Sequence, residues 1–399
     1  MSAHEVVVVG AGPAGSTAAR RLAEGGVRVL LLDKARFPRP KACGGALSPR
    51  ALRHAPPGIE GRFRARIQRA IFSCCSARPF EIVADRPLGY VVRREEFDHW
   101  LVERAAAAGA TVRDGAWVQG VERDGELLAL RVSGERVLAR LIIGADGAGS
   151  GVGNALCPPR RPAPLLAIRA EIAGAPLGED TVLVDVGRYP GGYAWAFPDG
   201  DRASVGVMLD RAHGRQLEVA LARFLTGAGL SGRPEGIKAA PVAAFRDGAE
   251  KCAAPGALLV GDAARLADPF LGEGISYAMW SASLAADAIL AGGDGEAVAR
   301  RYAAAVAGAL WPELQAAGRI ASFFHAAPRW WHRVLSQLPR GILRYAGVLA
   351  GEESYTELVR RVTDRFETGA GRWVRIRTRL RRDADHAGAG KSGGVQHDG

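Results

Sequence analysis

Residues 5–33 read EVVVVGAGPAGSTAARRLAEGGVRVLLLD, and this stretch decides the fold. Glu5–Val9 is an uninterrupted valine run behind one glutamate, the pattern of a parallel strand buried on both faces. Gly10-Ala11-Gly12-Pro13-Ala14-Gly15 follows, then Ser16–Glu24 with Ala and Leu at helical spacing, a Gly25-Gly26 stop, and a second strand over Val27–Leu32. Gly10 permits a tight turn, Gly12 lets the backbone approach a pyrophosphate, and Gly15 lets helix and strand pack closely. The N–H groups of the first helical turn then face the phosphates. Asp33 stands 23 residues after Gly10, where a carboxylate accepts hydrogen bonds from a ribose diol and disfavours a 2′-phosphate. The unit therefore predicts a bound dinucleotide other than NADP, without separating FAD from NAD.

Two later blocks choose between them. Leu141–Ser150 (LIIGADGAGS) is a buried strand running into a glycine-rich turn around Asp146 and Gly147. Ala257–Met279 (ALLVGDAARLADPFLGEGISYAM) is a strand over Leu258–Val260, the Gly261-Asp262 pair at its carboxyl end, a loop, and a helix opening at Gly274. An acid at a strand's carboxyl end beside a helix N-terminus suits ribityl hydroxyls and a polar flavin edge.

With three such blocks in this order, the chain resembles the FAD-dependent oxidoreductases of the para-hydroxybenzoate hydroxylase fold and is most similar among them to the geranylgeranyl reductase family. Gly144-Ala145-Asp146-Gly147 matches that superfamily's DG motif and Gly261-Asp262 its GD motif. Tyr90–Leu101 (YVVRREEFDHWL) matches the segment whose arginine, here Arg94, reaches the FAD. Phe37–Leu52 (FPRPKACGGALSPRAL) carries the reductases' Lys-x-Cys-Gly-Gly stretch, with Lys41 and Cys43. Tyr193-Ala194-Trp195-Ala196-Phe197-Pro198 matches their Tyr-x-Trp-x-Phe-Pro motif. The likeness covers about residues 5–310, with departures at Arg265, expected near the flavin, and at Ala282.

The resemblance implies an α/β chain (α+β overall): a Rossmann-like FAD-binding fold interrupted by an antiparallel substrate-binding sheet, then a C-terminal helical region. Residues 1–60, 91–160 and 251–310 would hold FAD, 61–90 and 161–250 would form the substrate sheet, 311–382 the helical region, and 383–399 a disordered tail. It implies cofactor contacts from Gly10, Gly12, Pro13, Ala14, Gly15, Asp33, Lys34, Cys43, Gly44, Arg94 and Val118. Asp146, Gly147, Gly261, Asp262, Gly272, Gly274 and Ile275 complete that set. Substrate contacts fall to Tyr193, Trp195, Phe197 and Pro269, and catalytic roles to Cys43, Tyr193 and Trp195.

The implied chemistry is reduction of C=C bonds in a geranylgeranyl or polyprenyl chain. On a strand Tyr193, Trp195 and Phe197 share one face, and an aromatic, water-free wall would stabilise cationic character at an alkene carbon. Cys43, in a glycine-rich loop, is a proton donor, a redox relay or a packing residue. A flavin monooxygenase or halogenase is the alternative; halogenases carry a related Trp-x-Trp-x-Ile-Pro segment but need a positioned lysine. A flavoprotein binding partner without turnover is a third reading, against which the three FAD motifs stand. No second GxGxxG unit follows, so NADPH binding transiently or a reduced ferredoxin would supply electrons.

Composition bounds the rest. The net charge of +11, mostly arginine, suits anionic cofactors, acidic redox partners or anionic lipid, or simply reflects codon bias. Interleaved aromatics for nucleic-acid stacking are not evident. Five cysteines without metal-site spacing suggest a reduced, cytoplasmic protein, expected to be a monomer. Cys74-Cys75 reads as structural, because strand neighbours point to opposite faces; His54, His99 and His213 receive no role. No signal peptide fits before Glu5, and no run of about twenty apolar residues exists to span a membrane, though peripheral contact stays open. Phe323, Phe324, Trp330, Trp331, Arg333, Leu338, Arg344 and Tyr345 form an aromatic and basic stretch, read as an interfacial cap or as subdomain packing. Gly371–Arg382, with six arginines, is a membrane-facing or a solvated basic helix.

Overall fold

The computed structural model describes residues 3–158, 160–175, 177–246, 251–337, 347 and 354–368. The readings made for Leu338, Arg344, Tyr345, Gly371–Arg382 and the 383–399 tail lie outside these residues. The chain divides into two units, Met1–Tyr355 and Thr356–Gly399, and every site discussed below lies in the first. Of the second unit, the described residues continue the Tyr355–Thr368 helix.

The chain is a mixed α/β protein. His4–Val9 runs through the middle of an eight-stranded sheet, paired in parallel with Glu135–Gly144 on one side and Val29–Leu32 on the other. Ala257–Leu259 and Thr111–Arg113 extend the parallel set outward. Val6–Val9, Leu30–Leu32, Ile142 and Ile143 are all buried without alternation, as strands covered on both faces require. The Pro13–Glu24 helix packs against Arg94–Ala107 and Ile275–Leu290. It begins at Pro13, three residues earlier than the Ala/Leu periodicity indicates, because a proline at the first helical position gives up no hydrogen bond. The second strand begins at Val29, since the Val27 N–H instead closes the helix onto the Leu22 carbonyl at 3.0 Å.

Between Gly144 and Ala253 the chain leaves this sheet to build most of a second one. Its seven strands run in the order Glu235–Val242, Leu165–Ala173, Arg202–Asp210, Ala194–Asp199, Thr181–Val186, Arg69–Cys74 and Ala77–Val83. All neighbours are antiparallel except Thr181–Val186 and Arg69–Cys74, which are joined by a long excursion through the first sheet and lie parallel. Phe63–Ile67 and Gly89–Val92 belong to neither sheet; they pair with each other, and Gly89–Val92 also pairs with Ala46–Leu47.

One local expectation changes at the Arg69–Cys74/Ala77–Val83 hairpin. Cys75 and Ser76 adopt φ of +58° and +57°, so strand alternation ends there and the Cys74 and Cys75 sulfurs lie 4.0 Å apart. Beyond Gly295–Ala309 the chain is helical over Trp311–Ala326 and Pro328–Ser336. In the last of these His332 is buried against the Arg78 carbonyl at 2.8 Å, while Trp330 stays 45% exposed. Packing holds one side of that helix and solvent the other. Among the described residues, no helix is long and apolar enough to cross a membrane.

Candidate functional site

Gly10 sits at φ +101°, and a Cβ there would collide with the Ala145 carbonyl of the neighbouring strand-turn; one on Gly15 would strike the Gly10 carbonyl. Gly12 is different. It has extended backbone, no side chain caps the helix it starts, and a Cβ on it would meet only the Arg39 guanidinium at 3.7 Å. The space above this helix N-terminus is thus open and edged by a cation. Asp33 accepts the Ala11 N–H at 2.8 Å and the Ala35 N–H at 2.9 Å, so it shapes the glycine loop itself; each oxygen keeps a second lone pair for a diol. Lys34, beside it, is exposed.

Arg94 opens the Arg94–Ala107 helix and grips Asp98, one turn later and fully buried, through two hydrogen bonds of 2.8 Å. Cys43 lies close enough to act on its charge. Burial works against its charge, but Asp98 and Cys43 hold the guanidinium above its ordinary pKa. Asp98 also faces Arg39 at 3.3 Å, and Arg39 lies 3.9 Å from Asp33. Burial, then Arg94, lowers the Lys41 pKa, with Asp262 acting the other way. Burial raises the Asp262 pKa against the pull of Lys41, Arg94 and Arg265. Arg39, Lys41 and Asp98 were not assigned cofactor roles from sequence. Asp98 was detectable there, since an acid four residues after an arginine at a helix start is its natural partner.

The other motif residues fall into supporting positions. Asp146 accepts the Ser150 hydroxyl at 2.5 Å and the Val152 N–H at 3.2 Å, starting the short Gly151–Leu156 helix, while Gly147 turns at φ +82°. Gly261 lies at the crossing of two helices, where a Cβ would be 3.0 Å from Ala278 and 3.3 Å from Ala14. Gly274 starts the Ile275–Leu290 helix without a side-chain cap, and its Cβ position is 3.2 Å from Asp262 Oδ1. Val118 begins its strand, partly buried against the core of the first sheet. Open amides at two helix starts, a cationic edge over Gly12 and carboxylates at two strand ends together fit a dinucleotide such as FAD.

Beside this lies a cavity of about 270 Å³, lined on one side by Cys43–Ser48 and Leu271–Ile275 and on the other by the second sheet. Tyr193, Trp195 and Phe197 form its aromatic wall. Successive ring centroids are 6.0 Å apart, Tyr193 edge-on to Trp195 at 61° and Trp195 nearly parallel to Phe197 at 24°. The Tyr193 hydroxyl donates to the Leu271 carbonyl at 2.6 Å, and burial raises its pKa well above the ordinary tyrosine value, with Asp268 adding to the shift. The Trp195 indole N–H is buried with no hydrogen-bond partner. Cys43 accepts the Gly45 N–H at 3.4 Å.

One expected substrate neighbour, Pro269, is not among the residues that line the cavity. Pro269 packs toward Gly318; Arg265 takes a left-handed backbone (φ +56°), donates to the Arg161 carbonyl and acts on the Asp262 carboxyl. What sequence reasoning missed is the polar edge: Ser48 donates to Glu273 at 2.5 Å, and Ser276 shares the same carboxylate oxygen.

A family model described as an FAD binding domain matches residues 3–163. Digeranylgeranylglycerophospholipid reductase 1 of Methanopyrus kandleri is 37% identical over 297 residues, covering 69% of this chain and 77% of its own. Geranylgeranyl diphosphate reductase of Rhodobacter capsulatus is 36% identical over 308 residues, covering 72% and 75%. A solved geranylgeranyl bacteriochlorophyll reductase-like protein of Thermoplasma acidophilum superposes with a TM-score of 0.75 at 26% identity, over 91% of this chain and 99% of its own.

Proposed function

The chain belongs to the geranylgeranyl reductase family of FAD-dependent oxidoreductases, and from that premise we propose that it saturates C=C bonds of a geranylgeranyl or polyprenyl chain. The observation that carries this reading is the apolar cavity walled by Tyr193, Trp195 and Phe197 against the Cys43–Gly44 loop. FAD, when bound and reduced, supplies the hydride. Gly10, Gly12, Pro13, Ala14, Gly15 and Asp33 would hold its adenosine and pyrophosphate, with Arg39 over the loop. Arg94, Val118, Asp146, Gly147, Gly261, Asp262, Gly272, Gly274 and Ile275 would hold the remainder.

The chain's own residues do the rest. The aromatic wall orients the alkene, excludes water and stabilises positive charge developing on the carbon that receives the hydride as the other carbon gains the proton. Cys43, whose sulfur accepts the Gly45 N–H beside Arg94, is the proton-donor candidate. No lysine is among the described residues lining the cavity, which disfavours the halogenase alternative. Electrons come from transiently bound NADPH or from a reduced ferredoxin, and flavin bleaching by each donor distinguishes them. Peripheral membrane contact, through the exposed Phe323 and Trp330, would bring a lipid substrate to the site.

The test is anaerobic: reduce the bound flavin, offer prenyl compounds, and look by mass spectrometry for a gain of two hydrogens. Trp195→Ala should retain FAD and lose most of that activity. Oxygen-dependent turnover with no anaerobic saturation would replace this reading by a monooxygenase or halogenase.

A further inference from the structure

Asp268 is fully buried, yet both carboxylate oxygens are engaged. Oδ1 accepts the N–H groups of Phe270 and Leu271 at 2.6 and 3.1 Å, and Oδ2 accepts the Tyr355 hydroxyl at 2.6 Å. The Asp268 N–H donates to the Glu273 carbonyl at 2.9 Å, and its carbonyl accepts the Gly272 N–H at 2.9 Å. Residues 268–273 thereby close into a loop organised around one carboxylate. Leu271, whose N–H that carboxylate holds, turns its carbonyl onto the Tyr193 hydroxyl at 2.6 Å. Tyr355 is itself fixed: it is 1% exposed, its N–H donates to Glu313 at 2.9 Å, and the Arg50 guanidinium lies 5.8 Å from its ring centre.

We propose that Tyr355 is a positioning residue for the aromatic wall, acting through Asp268 and the backbone of Leu271 on the Tyr193 ring. A buried carboxylate is costly to the fold unless its donors are supplied, so each donor removed disturbs the groups it organises. Tyr355 is the side-chain donor in this set, and the two backbone donors belong to the loop that touches Tyr193. Loss of its hydroxyl leaves one carboxylate oxygen without that donor and lets the carboxylate turn. The Leu271 backbone shifts with it, carrying its carbonyl, and Tyr193 loses its fixed edge-on contact with Trp195. The consequence for turnover rests on the prenyl-reductase reading; the coupling of Tyr355 to Tyr193 does not.

The experiment incorporates 3-fluorotyrosine into the full chain, whose seven tyrosines give separate 19F resonances, with Tyr193 assigned by Tyr193→Phe. In Tyr355→Phe the Tyr193 resonance should move while that of Tyr302, buried in another cluster, stays. The same variant should lower kcat on a prenyl substrate about three- to tenfold at nearly constant KM, the loss expected for one misdirected hydrogen bond. Asp268→Asn is the second variant, serves if Tyr355→Phe fails to fold, and should move Tyr193 as well. A Tyr193 resonance that stays in place in the folded variant overturns the proposal. A moved Tyr193 resonance in a protein that never reduces prenyl chains supports the coupling and retires the reductase reading alone.

Discussion

Gly44 and Trp195 face each other so closely that a Cβ on Gly44 would lie 2.9 Å from the indole Nε1, and equally close to the edge of Phe197. The Cys43–Gly45 loop and the aromatic strand therefore meet with no room for a methyl group. Gly44→Ala should push the wall from the loop while leaving the dinucleotide loop at Gly10–Gly15 untouched. We expect FAD content to be retained and kcat/KM on a prenyl substrate to fall at least about tenfold, equivalent to roughly 1.4 kcal/mol of transition-state stabilisation. Flavin absorbance of the purified variant and single-turnover product formation check the two halves. Full activity would show that the loop yields to the wall.

Arg39 lies above Gly12, 3.9 Å from Asp33 and 3.3 Å from Asp98. Arg39→Met keeps the stem and removes the charge. If the open space is the pyrophosphate site, FAD affinity should drop by about ten- to a hundredfold, the range for one charge-assisted hydrogen bond to an anion. The loss should shrink as salt is raised, because screening already weakens the native contact. Titration of the apoprotein with FAD, followed by flavin fluorescence, reads both; an unchanged dissociation constant places the pyrophosphate elsewhere.

What could be read from the chain and what could not divide along sequence distance. The Gly10–Gly15 loop, Asp33 and the alternation of Tyr193, Trp195 and Phe197 are local patterns, each explained within a few residues of backbone. Arg94 was legible as one motif residue, but its place beside Cys43 required the helix to meet a loop about fifty residues earlier. Asp268 and Tyr355 are 87 residues apart, and nothing in either neighbourhood points to the other. The Cys74–Cys75 pair shows a second limit. Period-two alternation holds only while φ stays negative, and the hairpin turn at Cys75 ends it.

Cys43 offers its sulfur to the Gly45 N–H and lies beside Arg94, at the border between the cationic cofactor side and the apolar cavity. A proton donor removed from such a position typically costs about a hundredfold or more. Cys43→Ala should therefore slow product formation by about that factor while reduction of the flavin by its donor proceeds at the normal rate. Rapid mixing with separate readings of flavin reduction and product release distinguishes the steps. A normal rate for both reduces Cys43 to a packing residue and leaves water or Glu273 as proton source.

The buried Asp268 predicts a pH signature. Burial pushes its pKa up from 3.8 to about 6, against the hydrogen bonds from Tyr355, Phe270 and Leu271, and the Glu273 charge adds to the rise. Tyr193 and Tyr277 also face it, and Arg50, paired with Tyr277 at 2.7 Å, is the nearby cation of this cluster. A carboxyl that holds its proton more tightly when folded favours the fold at low pH. Its contribution is complete below about pH 4 and is lost as the pH rises through about 6, on the order of 3 kcal/mol in all. Asn at this position cannot ionise but still accepts from Phe270 and Leu271. Denaturant unfolding of both proteins should show Asp268→Asn gaining stability relative to the natural chain between about pH 4 and 7, then holding a constant difference above. A difference that stays flat across that window would mean that Asp268 titrates as an ordinary carboxylate and that the loop over Tyr193 tolerates its charge without cost.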